Sequence, residues 1–415
     1  MNRRIRISGS ILLLVLFISS SLFADDWPQW RGPNRDGISA ETDWSSDWSS
    51  SKPKVLWRVD IGTGFSSFAI SEGRLYTMGN TADSRRAPRD EQKGRVYCLD
   101  AARGDEIWRH EYPSALVAVR YEGGPTSTPT VDGDVVYAFG KLGQFFCFNK
   151  SDGKIIWQKD LSREYGVQVS MYGLSSSPLI IGERLYLHGG SSTLALNKSD
   201  GSLIWKTDGY DGKGAGYSSP VVVRIDGVDC LLSMQAKNLY ALQQSDGKVL
   251  WQYEWITQHN LNIADPIVIE GDRVFISSDY NHGGTLLKMS REKAEEIWMT
   301  RKMRNHFMTS VRFGDYLYGF DDDDLTCLDL KSGQPVWQTR EFGKGGLSAT
   351  ADGRLIVLGD EGTLAIVEAS PEGPKMLASM PLLDGKCWTM PVLVNGRIYA
   401  RNAMGNLVCI ECPKR

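Results

Sequence analysis

Apolar and polar positions along this chain return in one composite pattern. It reads RVYCLDAARGDEIW up to Trp108, QFFCFNKSDGKIIW up to Trp157 and STLALNKSDGSLIW up to Trp205. KNLYALQQSDGKVLW, LLKMSREKAEEIW and DLTCLDLKSGQPVW carry it on to Trp251, Trp298 and Trp337, the middle one without its glycine. A period of about 40 to 50 residues marks a repeat architecture. Within one unit, SSPLII (Ser176 to Ile181) predicts an inner strand, and GERLYLHG predicts a second joined to it by a hairpin. TLALN predicts a third strand, and the tryptophan run predicts a fourth. Ser-Asp-Gly makes the turn between them, where Gly201 can take a left-handed backbone. Four short strands per unit predict the blade of a propeller.

Counting units sets the ring size. Six end at the tryptophans just named. A seventh runs from LSATADGRLIVLG to PKMLASM without a tryptophan, and an eighth, CWTMPVLVNGRIYARN to NLVCIECPKR, is one strand short. PKVLWRVDI (Pro53 to Ile61) is a fourth-strand sequence carrying Trp57, with no blade before it. The expected fold is therefore all-β: an eight-bladed β-propeller of four-stranded blades, closed by an N-terminal strand that completes the last blade. Trp57, Trp108, Trp157, Trp205, Trp251, Trp298 and Trp337 are expected to fill the gaps between blades.

Residues 1–24 read as a secretory signal peptide. Arg3, Arg4 and Arg6 precede the apolar run ILLLVLFI, and SSSLFA offers a cut after Ala24. The chain is thus expected to be exported, periplasmic or extracellular, with no transmembrane segment after cleavage. Residues 25–52 form a tryptophan-rich lead-in, and residues 53–415 form a single propeller. The lead-in stretch DDWPQWRGPNRDGIS has neither strand alternation nor helical spacing. It is expected to cross one end of the ring at the seam of blades eight and one. Trp27 and Trp30 would plug apolar surface there, with Arg31 and Arg35 reaching acids or carbonyls. ETDWSSDWSSSKP reads as a polar surface loop.

The formal charge of −3 becomes −6 without the leader's three arginines. No basic cluster suggests nucleic acid. The seven cysteines are odd in number, and Cys98, Cys147, Cys327 and Cys409 share one repeat position, held elsewhere by Ala195 and Ala241. That predicts small packing residues, not a disulfide framework. Cys409 and Cys412 have redox spacing but no helix start to acidify a thiol.

Chemistry-bearing motifs are sparse, and no haem, nucleophile-elbow or P-loop signature appears. Asp321 to Asp324 have the charge for calcium but read as a solvated hairpin. His259, His282 and His306 lie in loops of neighbouring blades, without metal-ligand spacing, and no metal site is assigned. The blade starts FSSF, TSTP, SSSP, YSSP, IADP, FMTS and WTMP align. Inner strands line a propeller's channel, which places Ser66, Ser127, Ser176, Ser218, Asp265, His306 and Trp388 around one funnel mouth. Two readings stay open: the hydroxyls cap backbone donors where strands begin, or they bind a small ligand or an extended peptide. No catalytic residue is assigned.

CLDAARGDEIW and its variants resemble the pyrroloquinoline-quinone-type propeller repeat, over about residues 53–412. Two groups carry it: the eight-bladed quinoprotein dehydrogenases, and the non-catalytic propeller lipoprotein of the outer-membrane β-barrel assembly machinery. DWPQWRGPNRDGIS before VLWRVDIG looks like the dehydrogenase lead-in, whereas the chain length is similar to the assembly protein's. The dehydrogenase resemblance implies pyrroloquinoline quinone, calcium held by acidic and amide side chains, a catalytic aspartate and a ring of adjacent disulfide-bonded cysteines. This sequence has no Cys-Cys pair, and the ligands find no matching positions. The expectation is a monomeric, non-catalytic scaffold without cofactor. It would bind envelope proteins, extended peptides or a small ligand, possibilities headed by outer-membrane protein assembly. The alternative is a pyrroloquinoline-quinone-dependent alcohol or sugar oxidoreductase with calcium.

Overall fold

The computed structural model describes residues 26–84, 86–209 and 215–415; the signal-peptide assignment lies outside them. Eight antiparallel sheets of four strands follow one another around a ring. Blades 1 to 4 start at Ala69–Ser71, Thr130–Asp132, Leu179–Ile181 and Val221–Ile225; blades 5 to 7 start at Ile267–Val268, Val311–Phe313 and Gly346–Thr350. Blade 8 has Val392–Val394, Arg397–Arg401 and Asn406–Glu411, and takes Lys54–Asp60 as its outer strand, with Trp57 opposite Cys409. The expected closure is the observed one. Arg401, fully buried on blade 8, reinforces the seam by donating to the carbonyls of Met78 at 2.7 Å and Gly62 at 2.9 Å.

The recurrent tryptophan has a local cause. In six of the seven it faces a small residue in its own ladder, such as Cys98 opposite Trp108, Cys147 opposite Trp157 and Ala195 opposite Trp205, while Trp298 faces Leu286. All seven indoles donate to a carbonyl of the next blade at 2.8–3.2 Å, from Trp57 to Ala101 through Trp337 to Ser370. The turn glycine of that blade must stay bare. At Gly153 (φ +70°) an added Cβ would lie 2.5 Å from the Trp108 ring. All seven cysteines are free and buried, and burial pushes the Cys409 and Cys412 thiols up to about 12, away from redox reactivity. Among the described residues no helix is long and apolar enough to cross a membrane.

The lead-in departs from expectation. Trp27 does pack at the seam, with Trp57, Ile70, Val392 and Tyr399. The chain then continues across the centre of the ring instead of staying at its edge. Pro28 accepts from Val131 of blade 2, and the Arg31 guanidinium donates to Thr309 and Ser310 of blade 6 at 3.0 Å each. Arg35 approaches the Pro178 carbonyl of blade 3, and Ile38–Ser39 pairs in parallel with the inner strand of blade 7. The segment is an axial plug, and its polar groups pair because each inner strand offers unspent carbonyls. Nor are residues 41–53 a polar surface loop. Trp44 and Trp48 are buried among Ile356, Leu364, Ile398 and Ile410, and Arg354 stacks over Trp44 at 3.8 Å. The serines and aspartates between them gave this stretch its polar appearance.

Candidate functional site

The inner strands begin on one face of the ring, and their first three residues take different jobs by strand alternation. The middle-position serines of blades 1, 3 and 4 turn into their own blades, whereas Met308, the middle residue of the blade 6 start, lines the cavity described below. Ser66 Oγ donates to the Ser67 carbonyl, Ser176 Oγ accepts from the His188 amide and Ser218 Oγ donates to the Met234 carbonyl, at 3.0–3.2 Å. Ser127 is equally buried. None of these four serines lines the cavity, whereas their neighbours on either side do in several blades, because adjacent positions of a strand face opposite ways.

The third position builds a belt. The Ser67 amide donates to Thr128 Oγ1, the Thr128 amide to Ser177 Oγ and the Ser177 amide to Ser219 Oγ. The Ser219 amide donates to Asp265 Oδ1 and the Asp265 amide to Thr309 Oγ1, so the belt spans blades 1 to 6 at 2.7–3.2 Å per step. Ser67 Oγ donates back to Met390 of blade 8. The belt hydroxyls of Thr128, Ser177, Ser219 and Thr309 cap backbone donors of the preceding blade, and among the four serines of the aligned starts Ser176 alone accepts from a backbone amide. Asp265 also accepts from Trp30 Nε1 at 2.7 Å, tying the plug to the belt. Burial lowers the pKa of Arg31, and that of Arg35 to about 10, while the Asp265 carboxylate opposes both shifts.

The first position lines a cavity. Phe65, Thr126, Ser175, Tyr217, Ile263, Phe307 and Trp388 surround a space of about 790 Å³ that ends on Trp30. Aromatic rings follow one another along its wall: Tyr217, Tyr172, Tyr121, Phe65 and Trp388, with neighbouring centroids 5.4–6.1 Å apart. Phe307, His306, Tyr280 and His259 continue the chain, Trp388 stacking on Phe307 at 4.1 Å. Of the seven candidates, His306 and Trp388 lie in this wall and Asp265 lies beneath it. The aromatics of the loops, Tyr121, Tyr172 and Tyr280, sit outside the aligned starts. The signal that could have found them is the tyrosines of the connections on this face: Tyr121 and Tyr172 between blades, and Tyr280 in the hairpin between Arg273–Ser278 and Gly283–Met289 of blade 5. The lining also includes Met171, 68% exposed, beside the exposed Arg120.

The charges around His306 are mutually satisfied. His306 Nδ1 lies 3.1 Å from Asp279 and 3.2 Å from Lys344 Nζ, and its Nε2 meets the Tyr280 hydroxyl at 3.0 Å. Burial, helped by Lys344, lowers its pKa to about 4. Asp279, His306 and Asp322 could converge on a cation, but the Lys344 ammonium pairs with both carboxylates. The three histidines do not converge: Tyr280 separates His259 from His306, and His282 packs on Trp255. The Asp321–Asp324 run is not a solvated turn either. Asp321 is buried against Arg304 at 2.6 Å, and Asp324 pairs with Arg340 at 2.8 Å. A smaller polar cleft of about 320 Å³ lies by Arg58, Asp60 and Asn402. Arg58 and Asn402 there are spent on the carbonyls of Leu382 and Asp384.

Comparison with known proteins agrees with this architecture. BamB from Moraxella catarrhalis superimposes with a TM-score of 0.62 at 14% identity, over 86% of this chain and 99% of that one. The quinohemoprotein alcohol dehydrogenase of Comamonas testosteroni gives 0.68 at 12% identity, over 93% and 80%. A europium-containing methanol dehydrogenase gives 0.68 at 12%, over 92% and 90%. These likenesses are to the fold. A search of curated proteins finds no sequence match. The profile of the family described as outer membrane protein assembly factor BamB matches residues 47–138 and 92–339, and the chain belongs to that family.

Proposed function

We propose that this chain is an exported binding scaffold of the cell envelope whose channel mouth captures apolar side chains of an extended polypeptide. The observation that supports it is the aromatic well: a long arc of rings from Tyr217 to His259, with Trp30 of the lead-in among its lining and Met171 exposed at its edge. Aromatic and aliphatic anchors seated in such pockets dominate the energetics of peptide recognition. The family description points the same way, toward partners that are themselves envelope proteins. A membrane β-barrel strand alternates apolar with polar residues, so every second side chain of such a segment could enter the well.

The quinoprotein likeness implies pyrroloquinoline quinone and a divalent ion, and the residues here do not fit that pair. The acidic pair near His306 already holds Lys344. Asp265 is held by the Ser219 amide and Trp30 Nε1, tying it to the belt and the plug. The test is an anisotropy titration with a labelled peptide that alternates aromatic and polar residues. Saturable binding to the full chain, abolished by Ser175→Trp at an unchanged melting temperature, is expected. Calorimetry with pyrroloquinoline quinone and calcium should show no saturable heat. Quinone binding with no peptide binding would overturn the proposal.

A further inference from the structure

One wall of the same cavity carries chemistry that the binding reading does not use. Lys141 lies in the hairpin between Val135–Phe139 and Gln144–Asn149 and is only 2% exposed. Its Nζ donates to the Tyr121 hydroxyl at 2.9 Å and to Thr126 Oγ1 at 3.2 Å. With Lys141 donating to it, Thr126 Oγ1 in turn donates to Ser175 Oγ at 2.8 Å, so its proton must swing to the amine once Lys141 is neutral; Tyr121, Thr126 and Ser175 all line the cavity. The other lysines near the mouth have carboxylate partners: Lys344 has Asp279 and Asp322, and Lys386 has Glu122 at 2.9 Å. Among the described residues Lys141 is bonded to hydroxyls alone.

We propose that Thr126, with Lys141 as its base, is a nucleophilic hydroxyl that accepts acyl groups from small aromatic esters entering the mouth. A hydroxyl nucleophile within hydrogen-bond reach of a base, and a base held by a third group, is the arrangement acyl transfer needs. Lysine fills the base's place in some hydrolases. An ammonium cannot do so, but burial lowers Lys141 to about 7, so a large fraction is neutral near neutral pH. The titratable groups around it are Tyr121, raised by burial well above its ordinary range, with Tyr172, Tyr217 and Glu122 beyond. When the amine is neutral its lone pair can accept the Thr126 proton, and Tyr121 is the positioning residue that orients it.

The step balances without an outside reagent. Thr126 Oγ bonds to the ester carbonyl carbon as its proton passes to Lys141 Nζ. The bond from that carbon to the alcohol oxygen breaks, and the alkoxide takes the proton from the Lys141 ammonium. Water, deprotonated by the same amine, then attacks the acyl-threonine, releasing the acid and restoring the hydroxyl. Ser175 keeps its own O–H to donate to the oxyanion in both halves. The net change is ester plus water giving acid plus alcohol. The aromatic wall selects esters of flat aromatic alcohols.

The probe is p-nitrophenyl acetate with the full-length chain, followed by absorbance and by peptide mapping of the acylated residue. The acyl group should be found on Thr126. The rate should rise with pH, with a midpoint near the Lys141 value, and level off above it. Lys141→Arg keeps the charge but cannot shed its proton. It should lose about 100-fold, the order expected of a general base, and Thr126→Ser should retain activity. Should Thr126→Val not fold, the map of the wild-type adduct decides alone. Acylation confined to surface lysines or tyrosines, or a Lys141→Arg rate and pH profile equal to wild type, would overturn the proposal. Peptide binding is measured separately, so failure of either reading leaves the other standing.

Discussion

Asp265 joins three parts of the molecule, and replacing it should cost more than any exposed residue at the mouth. Its Oδ1 accepts from the buried Ser219 amide and its Oδ2 from Trp30 Nε1, both at 2.7 Å. Asp265→Ala leaves two N–H donors unpaired in a site only 7% exposed. Each orphaned donor costs about 1–3 kcal/mol, so the loss should be about 4 kcal/mol, before counting the countercharge taken from Arg31 and Arg35. Asp265→Asn keeps one acceptor but turns an NH₂ toward the other donor, and about half that loss is expected. Urea unfolding followed by tryptophan emission gives the difference from the shift in midpoint. Trp30→Phe keeps a ring and removes its N–H. In that background Asp265→Asn should be milder by about 1–2 kcal/mol, the coupling of a contacting pair. A loss below about 1 kcal/mol for Asp265→Ala, or strict additivity with Trp30→Phe, would refute the idea that the belt and plug are held by this carboxylate.

Three further outcomes are expected. Trp157→Ala should cost about 3–5 kcal/mol, as for an aromatic removed from a core, and Trp30→Ala should cost less in melting experiments, because that ring faces the cavity. Deleting residues 25–61 should prevent cooperative unfolding, since it removes both plug and closing strand; wild-type melting would count against closure. His188 is fully buried, with Nδ1 at 2.9 Å from the Ser218 carbonyl, and burial lowers its pKa to about 4. The unfolded chain therefore binds the extra proton first, and stability should fall as pH drops from about 6.5 to about 4, by up to about 3 kcal/mol. His188→Gln should flatten that limb in pH-dependent denaturation.

The repeat made most of the fold legible. An orphan strand with Trp57 and an eighth unit lacking its outer strand could only complete each other, and they do. The site was less legible for two physical reasons. The aligned starts place Ser66, Ser176 and Ser218 beside the residues that line the cavity, and alternation assigns adjacent positions to opposite faces. Composition alone cannot tell which face is which, because Ser occurs in both. The lead-in has no periodicity to read, since its shape follows the channel. Arg31 and Arg35, with φ of +64° and +56°, bend it where seven blades offer partners. Charge runs mislead in the same way: Asp321 to Asp324 look solvated until Arg304, Lys344 and Arg340, distant in sequence or in the next loops, fold against them.

The most direct test of the binding proposal is photocrosslinking from defined positions. A photoreactive residue is placed at Met171 on the rim of the well, and in separate chains at Ile156 and Ile204, exposed apolar residues of outer strands. Each chain is irradiated with a peptide alternating aromatic and polar residues. The account predicts adducts from Met171, lost on adding Ser175→Trp, and none above background from Ile156 or Ile204. Adducts from the outer strands, with Met171 silent, would contradict it.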